Sequence, residues 1–273
     1  MTHCCRQQSE QAFFDELYRH GWTHQDERID EKVVPPNMLV YWRLVRHHLT
    51  GLKQRVAEPK ALDCGCGYGV LSVLAARLGV RVTAVDISPN SIAIVERLAA
   101  ANGVSQNVKT VVAGLEDLPF DADTFDCVLG TRILHHVEVA TAGSRLARVL
   151  KTGGKAVFWE CTEKNPILRF ARKRLRRLLP LPKYGTAHEH PITEQELCIL
   201  GKEFGTPPEI VAAPFYFFTL ADQYIFRQKL RWLTKLMAGM DSFIAGRLPV
   251  LNHFSFHQVL VFEKKHQGAE SNL

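Results

Sequence analysis

Apolar positions along the chain change period repeatedly, and each change marks an element. "SEQAFFDELYRHG" has a helical period, with Ser9 as N-cap and Gly21 after the end. Beyond Pro36, Met38, Tyr41, Trp42, Val45 and Leu49 recur at helical spacing. Lys60–Asp63 reads as a short buried strand, and "YGVLSVLAARLG" as a helix closed by Gly79. "RVTAVDI" predicts a second strand ending at Asp86. "SPNSIAIVERLAAANG" predicts a helix with Ser88 as N-cap, Pro89 at its first position and Gly103 at its close. "VKTVVAG" and "TFDCVLG" predict the third and fourth strands, "ATAGSRLARVLKTGG" a helix running into a Gly-Gly turn, and "KAVFWEC" the fifth strand. After Cys161 come a basic segment to Tyr184, a helix over "TEQELCILGKEF", and strands over "EIVAAPFYFF" and "FHQVLVFEKK". Between those two strands, Thr219–Asn252 reads as mostly helical and rich in aromatics and bases, and the last eight residues read as a tail.

Strand–helix alternation predicts an α/β fold: a Rossmann-like, doubly wound seven-stranded parallel sheet with helices on both faces and helical cap insertions. The insertions fall at roughly 164–192 and 218–255, and are expected over the carboxyl edge of the sheet. A hydrophobic content of 46% is enough for a full core, and no apolar run approaches the length of a spanning helix. "MTHCCRQQSEQ" has no apolar stretch of signal-peptide type. The seven cysteines are odd in number and lack C-x-x-C spacing, which points to reduced thiols in a cytoplasmic protein rather than a disulfide frame or a zinc site. The net charge of +6 is uneven: residues 1–160 balance, and the excess lies in 161–273, with eight Lys/Arg and no acid from Lys164 to His188. That is a neutral core with one basic attachment, not a uniformly basic nucleic-acid binder.

"ALDCGCGYGV" carries the first candidate chemistry. A loop between a first strand and its helix sits where such sheets bind ligands, and its glycines admit close backbone approach. Val70 and Leu71 stand where a phosphate-cradling loop needs a lysine, and the third glycine comes one residue too early for a dinucleotide fingerprint. Asp63 before the loop disfavours a pyrophosphate and suits a ligand bearing ammonium or sulfonium.

With "LDCGCGYG", "VTAVDIS", "LEDLPFDADTFDCVLGTRILHHV" and "RLARVLKTGGKAVFWE" in order, residues 60–160 resemble the class I S-adenosylmethionine-dependent methyltransferases, in the small-molecule subgroup with an LDxGCGxG motif. The resemblance implies an enzyme using S-adenosylmethionine. It divides the chain into N-terminal helices covering the cofactor (1–58), the cofactor-binding core (59–163), the rest of the sheet with the inserted substrate cap (164–265) and a tail (266–273). Asp63, Gly65, Cys66, Gly67 and Gly69 are expected around the methionine part, Asp86 on the ribose hydroxyls and Ile87 on the adenine. Gly130 and Thr131 are expected beside the reactive methyl. Relatives that carry a Gly-Asp pair before "LPF" use its acid for the adenine amino group. Here Ala113-Gly114 replaces the pair, so Leu115 and Glu116 are the expected substitutes. Tyr41 or Arg43 is placed to reach the methionine carboxylate, Tyr41 with the alternative of lying on the apolar stripe.

Methyl transfer to a hydroxyl needs a base, and "ILHHV" offers His135 and His136 just past the fourth strand; the alternative is that one packs and the other faces solvent. Arg132 is a candidate for an anionic group of the substrate or cofactor. Arg132 and His135 occupy positions where metal-using relatives carry carboxylates, so no metal is expected. His188 and His190 are read as a cap hinge. Cap aromatics, Phe217 and Tyr224 among them, suit a hydrophobic small-molecule acceptor. "PILRFARKRLRRLL" over 166–179 is a basic amphipathic helix that packs on the domain or lies on an anionic membrane, making the protein membrane-associated; RNA is disfavoured because aromatics do not interleave the bases. Oxygen methylation of a hydrophobic or lipid-like metabolite is the expected reaction. An RNA or protein methyltransferase and a non-catalytic cofactor- or lipid-binding protein remain the alternatives.

Overall fold

A computed structural model describes residues 3–21, 28–166, 169–170, 189–222, 226 and 229–265. The apolar runs form seven strands: β1 (Lys60–Cys64), β2 (Arg81–Asp86), β3 (Val108–Val112), β4 (Phe125–Thr131), β5 (Leu150–Cys161), β6 (Glu209–Ala212) and β7 (His257–Glu263). They make one sheet in the order β3-β2-β1-β4-β5-β7-β6. The first five are parallel, while β7 runs antiparallel to both β5 and β6. The sheet is therefore mixed, not wholly parallel as the alternation predicted. β6 and β7 are joined through the cap, and β7 returns between β5 and β6. The strand order reverses between β1 and β4, so the chain leaves these adjacent strands in opposite directions and a crevice opens at their carboxyl ends.

Helices α2 (Leu39–Arg55), α3 (Val70–Arg77) and α4 (Pro89–Ala101) cover one face, burying Trp42, Val45, Leu49, Val73 and Leu98. Helices α5 (Val139–Val149) and α6 (Glu194–Phe204) cover the other with Leu146, Leu197, Leu200 and Phe204. The expected caps form. Ser88 accepts from the Ser91 amide with Pro89 at the first position, and Thr193 and Glu196 close a reciprocal capping box on α6.

Three elements differ from expectation. α1 spans His3–Gly21, so Ser9 lies inside it rather than at its cap. Its start is held by tertiary contacts: the Gln7 amide donates to Glu116 at 3.3 Å and to Asp117 at 3.1 Å. β5 begins at Leu150, and Gly153-Gly154 falls at a register shift within the strand instead of in a turn before it. β6 stops at Ala212, two residues before Pro214, because the next amide, of Ala213, donates to the Gln258 side chain and not to a neighbouring strand.

The cap between β6 and β7 holds α7 (Phe218–Ala221) and α8 (Arg231–Arg247). Buried Asp241 on α8 accepts the amides of Phe217, Phe218 and Thr219 at 2.8–3.0 Å. One carboxylate thus satisfies the unpaired N-terminal donors of α7 and clamps the two helices together.

Candidate cofactor and catalytic site

The loop from β1 to α3 turns through Gly65, Gly67 and Gly69, each with φ between +52° and +77°. At Gly65 an added Cβ would lie 2.6 Å from Ile133 of the loop after β4, and at Gly69 2.7 Å from Val95 of α4. The loop is therefore pressed between the two crevice walls, and glycine is required by both conformation and space. Gly65→Ala is expected to lower unfolding free energy by about 1–3 kcal/mol from backbone strain alone, read as a shift in urea midpoint. An unchanged midpoint would show that Ile133 gives way and the loop relaxes.

Asp63 at the end of β1 accepts from the Ser72 hydroxyl at 2.6 Å, and burial raises its pKa to about 6. It tethers the loop to α3 from below and does not line the crevice. Asp86 at the end of β2 accepts the amides of Gly67 (2.9 Å) and Ser88 (3.0 Å), so one carboxylate organises both the glycine loop and the entry to α4. Burial raises its pKa, although the two amides favour the charged form. Cys66 stays in the loop with its thiol 3.9 Å from the Ser91 hydroxyl.

A cavity of about 530 Å³ occupies the crevice, a volume suited to a nucleoside-sized ligand with room beside it. Gly65, Cys66, Gly67, Gly69, Asp86, Ile87, Leu115, Glu116, Thr131, Arg132, His135 and His136 all line it. Gly130 lies beneath, against Phe158, Ile133 and Cys64. Arg132 has φ +51°, an unusual backbone for a side-chain-bearing residue and one that marks a constrained position.

Other expected residues lie elsewhere. Tyr41 is fully buried on the apolar stripe of α2, and neither it nor exposed Arg43 lines the cavity. The stripe that made Tyr41 visible is what carries it into the core. Phe217 stacks on Phe215 and meets Phe218 edge-on within the cap, so it too is absent from the cavity wall. Tyr224, His188 and most of the basic segment 166–179 lie outside the described residues. Glu189 does line the cavity, while His190 pairs with Glu196 at 3.6 Å.

The wall that sequence reasoning left without residues is α1. Its Gln7, Glu10, Phe14 and Tyr18 recur at helical spacing and face the cavity. Phe14 meets His136 edge-on at 5.0 Å and Tyr18 meets Tyr68 at 4.9 Å. Burial, with Asp86 nearby, pushes the Tyr18 hydroxyl well above its ordinary pKa. Asp15 accepts from the Ser88 hydroxyl and fixes α1 to the start of α4, where the Asn90 side chain donates to its carbonyl at 3.0 Å. A mixed polar and aromatic stripe does not look like core, which is why its role is hard to see in the sequence alone.

His135 follows β4 and lines the cavity; its Nδ1 lies 2.7 Å from Glu160 at the end of β5. Glu160 is fully buried, and its other oxygen accepts the amides of Ile133 (2.6 Å) and Leu134 (2.8 Å). Burial alone would depress the imidazolium, but the carboxylate outweighs it and holds His135 above the ordinary histidine range. Glu160 went unremarked in the sequence, although an acid inside the apolar run "KAVFWEC" is the kind of signal that marks it. His136 Nδ1 lies 3.1 Å from Glu10 and 3.3 Å from Glu189, joining α1 and the segment before α6 across the cavity. Ligand-type atoms of His135, His136 and Glu189 lie within 4.8 Å of one another, a spacing that hydrogen bonding at His136 already accounts for.

A seven-stranded sheet with this order, a glycine loop after β1 and an acid ending β2 define a doubly wound α/β protein with its crevice at the switch point, where such folds bind nucleotides. Residues 62–158 match the family model described as a methyltransferase domain. The chain is 34% identical over 150 residues to a ubiquinone biosynthesis O-methyltransferase of Xanthomonas axonopodis pv. citri, covering 53% of this chain and 60% of that protein. It is 32% identical over 105 residues to a sterol 4-C-methyltransferase of Caenorhabditis elegans, covering 38% of this chain and 31% of that one. The chain spans 52% to 60% of the first curated relatives it matches. In fold it is similar to geranyl diphosphate C-methyltransferase from Streptomyces coelicolor (TM-score 0.57, 16% identity, 95% of this chain and 98% of that one). It is also similar to the [4+2]-cyclase SpnF (TM-score 0.53, 18% identity, 95% and 97%). Residues 62–158 are thus a methyltransferase domain of the class I S-adenosylmethionine-dependent kind, and S-adenosylmethionine is the cofactor of that domain. No helix among the described residues is long and apolar enough to cross a membrane.

Proposed function

We propose that the protein transfers the donor methyl group to an oxygen of a small hydrophobic acceptor. The observation that carries this reading is the His135–Glu160 pair at the cavity wall, His135 lying four residues beyond the end of β4 and Glu160 near the end of β5. In this reading Asp86 holds the ribose hydroxyls, Ile87 packs on the adenine, Leu115 and Glu116 meet its edge, and the glycine loop meets the methionine part. The donor supplies an activated carbon, so the protein's work is alignment and proton removal. Nδ1–H of His135 donates a hydrogen bond to Glu160, which leaves Nε2 to take the acceptor's hydroxyl proton. With the donor bound, that oxygen would take the activated methyl carbon as the carbon–sulfur bond breaks, the sulfur leaving as the uncharged thioether of S-adenosylhomocysteine.

Phe13, Phe14, Leu17, Val33, Val34 and Met38 line the rest of the cavity, which supports an apolar acceptor. Names of relatives point the same way, to a quinone-pathway O-methyltransferase and a sterol C-methyltransferase. The test is product analysis with labelled donor against a panel of phenols, catechols, sterols and total RNA. Labelled methyl ethers of an apolar phenol or alcohol are the expected product. Label only on carbon would keep the cofactor and remove the oxygen assignment, and label only in RNA would overturn the small-molecule reading.

A further inference from the structure

Nine of the fourteen exposed large apolar side chains among the described residues fall between Phe226 and Phe254. On α8, Trp232, Leu236, Met240 and Phe243 are spaced four, four and three residues apart, within an arc of about 80° at the helical period. Trp232 is 65% exposed and Phe243 63%. The opposite side of α8 is the one that docks, through buried Asp241. Apolar residues at helical spacing thus face outward, the reverse of a helix that merely covers a domain.

Charge says what such a stripe meets. Lys229, Arg231, Lys235 and Arg247 are exposed around it, Arg247 lying over the Phe243 ring at 5.7 Å. The single acid from Phe226 to Phe254 is Asp241, which is buried against α7. A second copy packed on this face would bring like charges together across a two-fold axis. The chain's own 164–188 segment, with eight bases and no acid, meets the same repulsion. An interface of apolar interior and anionic surface matches both features at once.

We propose that α8 is a membrane-docking surface: it lies in the headgroup region of an anionic bilayer with Trp232, Leu236, Met240 and Phe243 inserted. Lysine and arginine stems follow the apolar face while their charges reach the lipid phosphates. The proposal does not rest on the basic segment near 166–179 and holds whether the methyl acceptor is a lipid or not.

Flotation of the full chain with vesicles of phosphatidylcholine alone, and of phosphatidylcholine mixed with phosphatidylserine, tests it. Wild type is expected to bind the mixed vesicles, with tryptophan emission moving to the blue by a component missing in Trp232→Phe. Trp232→Ser with Phe243→Ser is expected to lower partitioning about tenfold or more. Lys229→Gln, Arg231→Gln and Lys235→Gln together should reduce preference for phosphatidylserine, and salt should do the same in wild type. S-adenosylmethionine titration and thermal melting should be unchanged in every variant, because all these side chains are exposed. Absence of wild-type binding, or binding that survives the double serine change, overturns the proposal. So does a wild-type dimer in light scattering that the double serine change converts to monomer.

Discussion

His135→Ala is expected to lower methyl turnover by about 10²–10⁴-fold while leaving S-adenosylmethionine affinity intact. His135 touches the cavity, and its polar contacts run to Glu160 and Cys161 at the end of β5, so its loss removes a proton acceptor without disturbing the glycine loop. Glu160→Gln should cost a similar factor for a different reason. A carboxamide can still accept from the Ile133 and Leu134 amides, but its NH₂ would donate to Nδ1 and force the ring proton onto Nε2, the wrong tautomer for taking another. The sign of the pH dependence follows from the raised pKa of His135. The ring must be neutral to accept a proton, and the neutral form grows as pH rises. Turnover should therefore climb through neutrality, with its midpoint above the ordinary histidine value of about 6.5. Single-turnover rates measured across pH check this. A flat profile, or a His135→Ala loss under about fivefold, would mean that the acceptor needs no base.

Asp86→Ala is expected to weaken S-adenosylmethionine binding by about 2–4 kcal/mol, the range for losing charge-assisted hydrogen bonds. Two effects add at this position. On the proposed contact the ribose loses its acceptor, and the Gly67 and Ser88 amides lose theirs, so the glycine loop and the start of α4 loosen together. Asp86→Asn separates them, because a carboxamide oxygen can keep one amide while the charge is lost. Calorimetric titration of donor into both variants reads the result. Unchanged affinity in Asp86→Ala would remove this residue from the ribose site and, with it, the placement of the adenine over Ile87.

Much of the core was legible because its signals are local. Ser88-Pro89 before an apolar helix, Gly79 and Gly103 after α3 and α4, and short β-branched runs at regular spacing are each decided within a few residues. All reappear in the structure within one or two positions. Strand boundaries failed where tertiary pairing intervened: β5 starts at Leu150 because Leu150 pairs with Phe125 across a register shift that no local rule announces. Residues of the candidate site show the same division. Asp86 and the glycines stand at strand ends in a known pattern, so their convergence follows from the alternation itself. Tyr41 was visible for its period, and that same period carries it into the core.

What the sequence by itself determined is the α/β alternation, the glycine loop with its flanking acids, the cofactor family, and the concentration of charge after Cys161. Periodicity and turn chemistry act over short distances, and these features need nothing more. Tertiary structure alone decided which acid meets His135, since Glu160 lies 25 residues away and comes into reach only because β4 and β5 pair side by side. It also decided that α1 closes the cavity, through Asp15 reaching Ser88 and Gln7 reaching Glu116, contacts spanning more than seventy residues. The facing of α8 was decided in the same way. Its apolar residues are equally suited to a core or a surface, and the buried carboxylate of Asp241, drawn to the free amides at the start of α7, turns the helix so that they point outward.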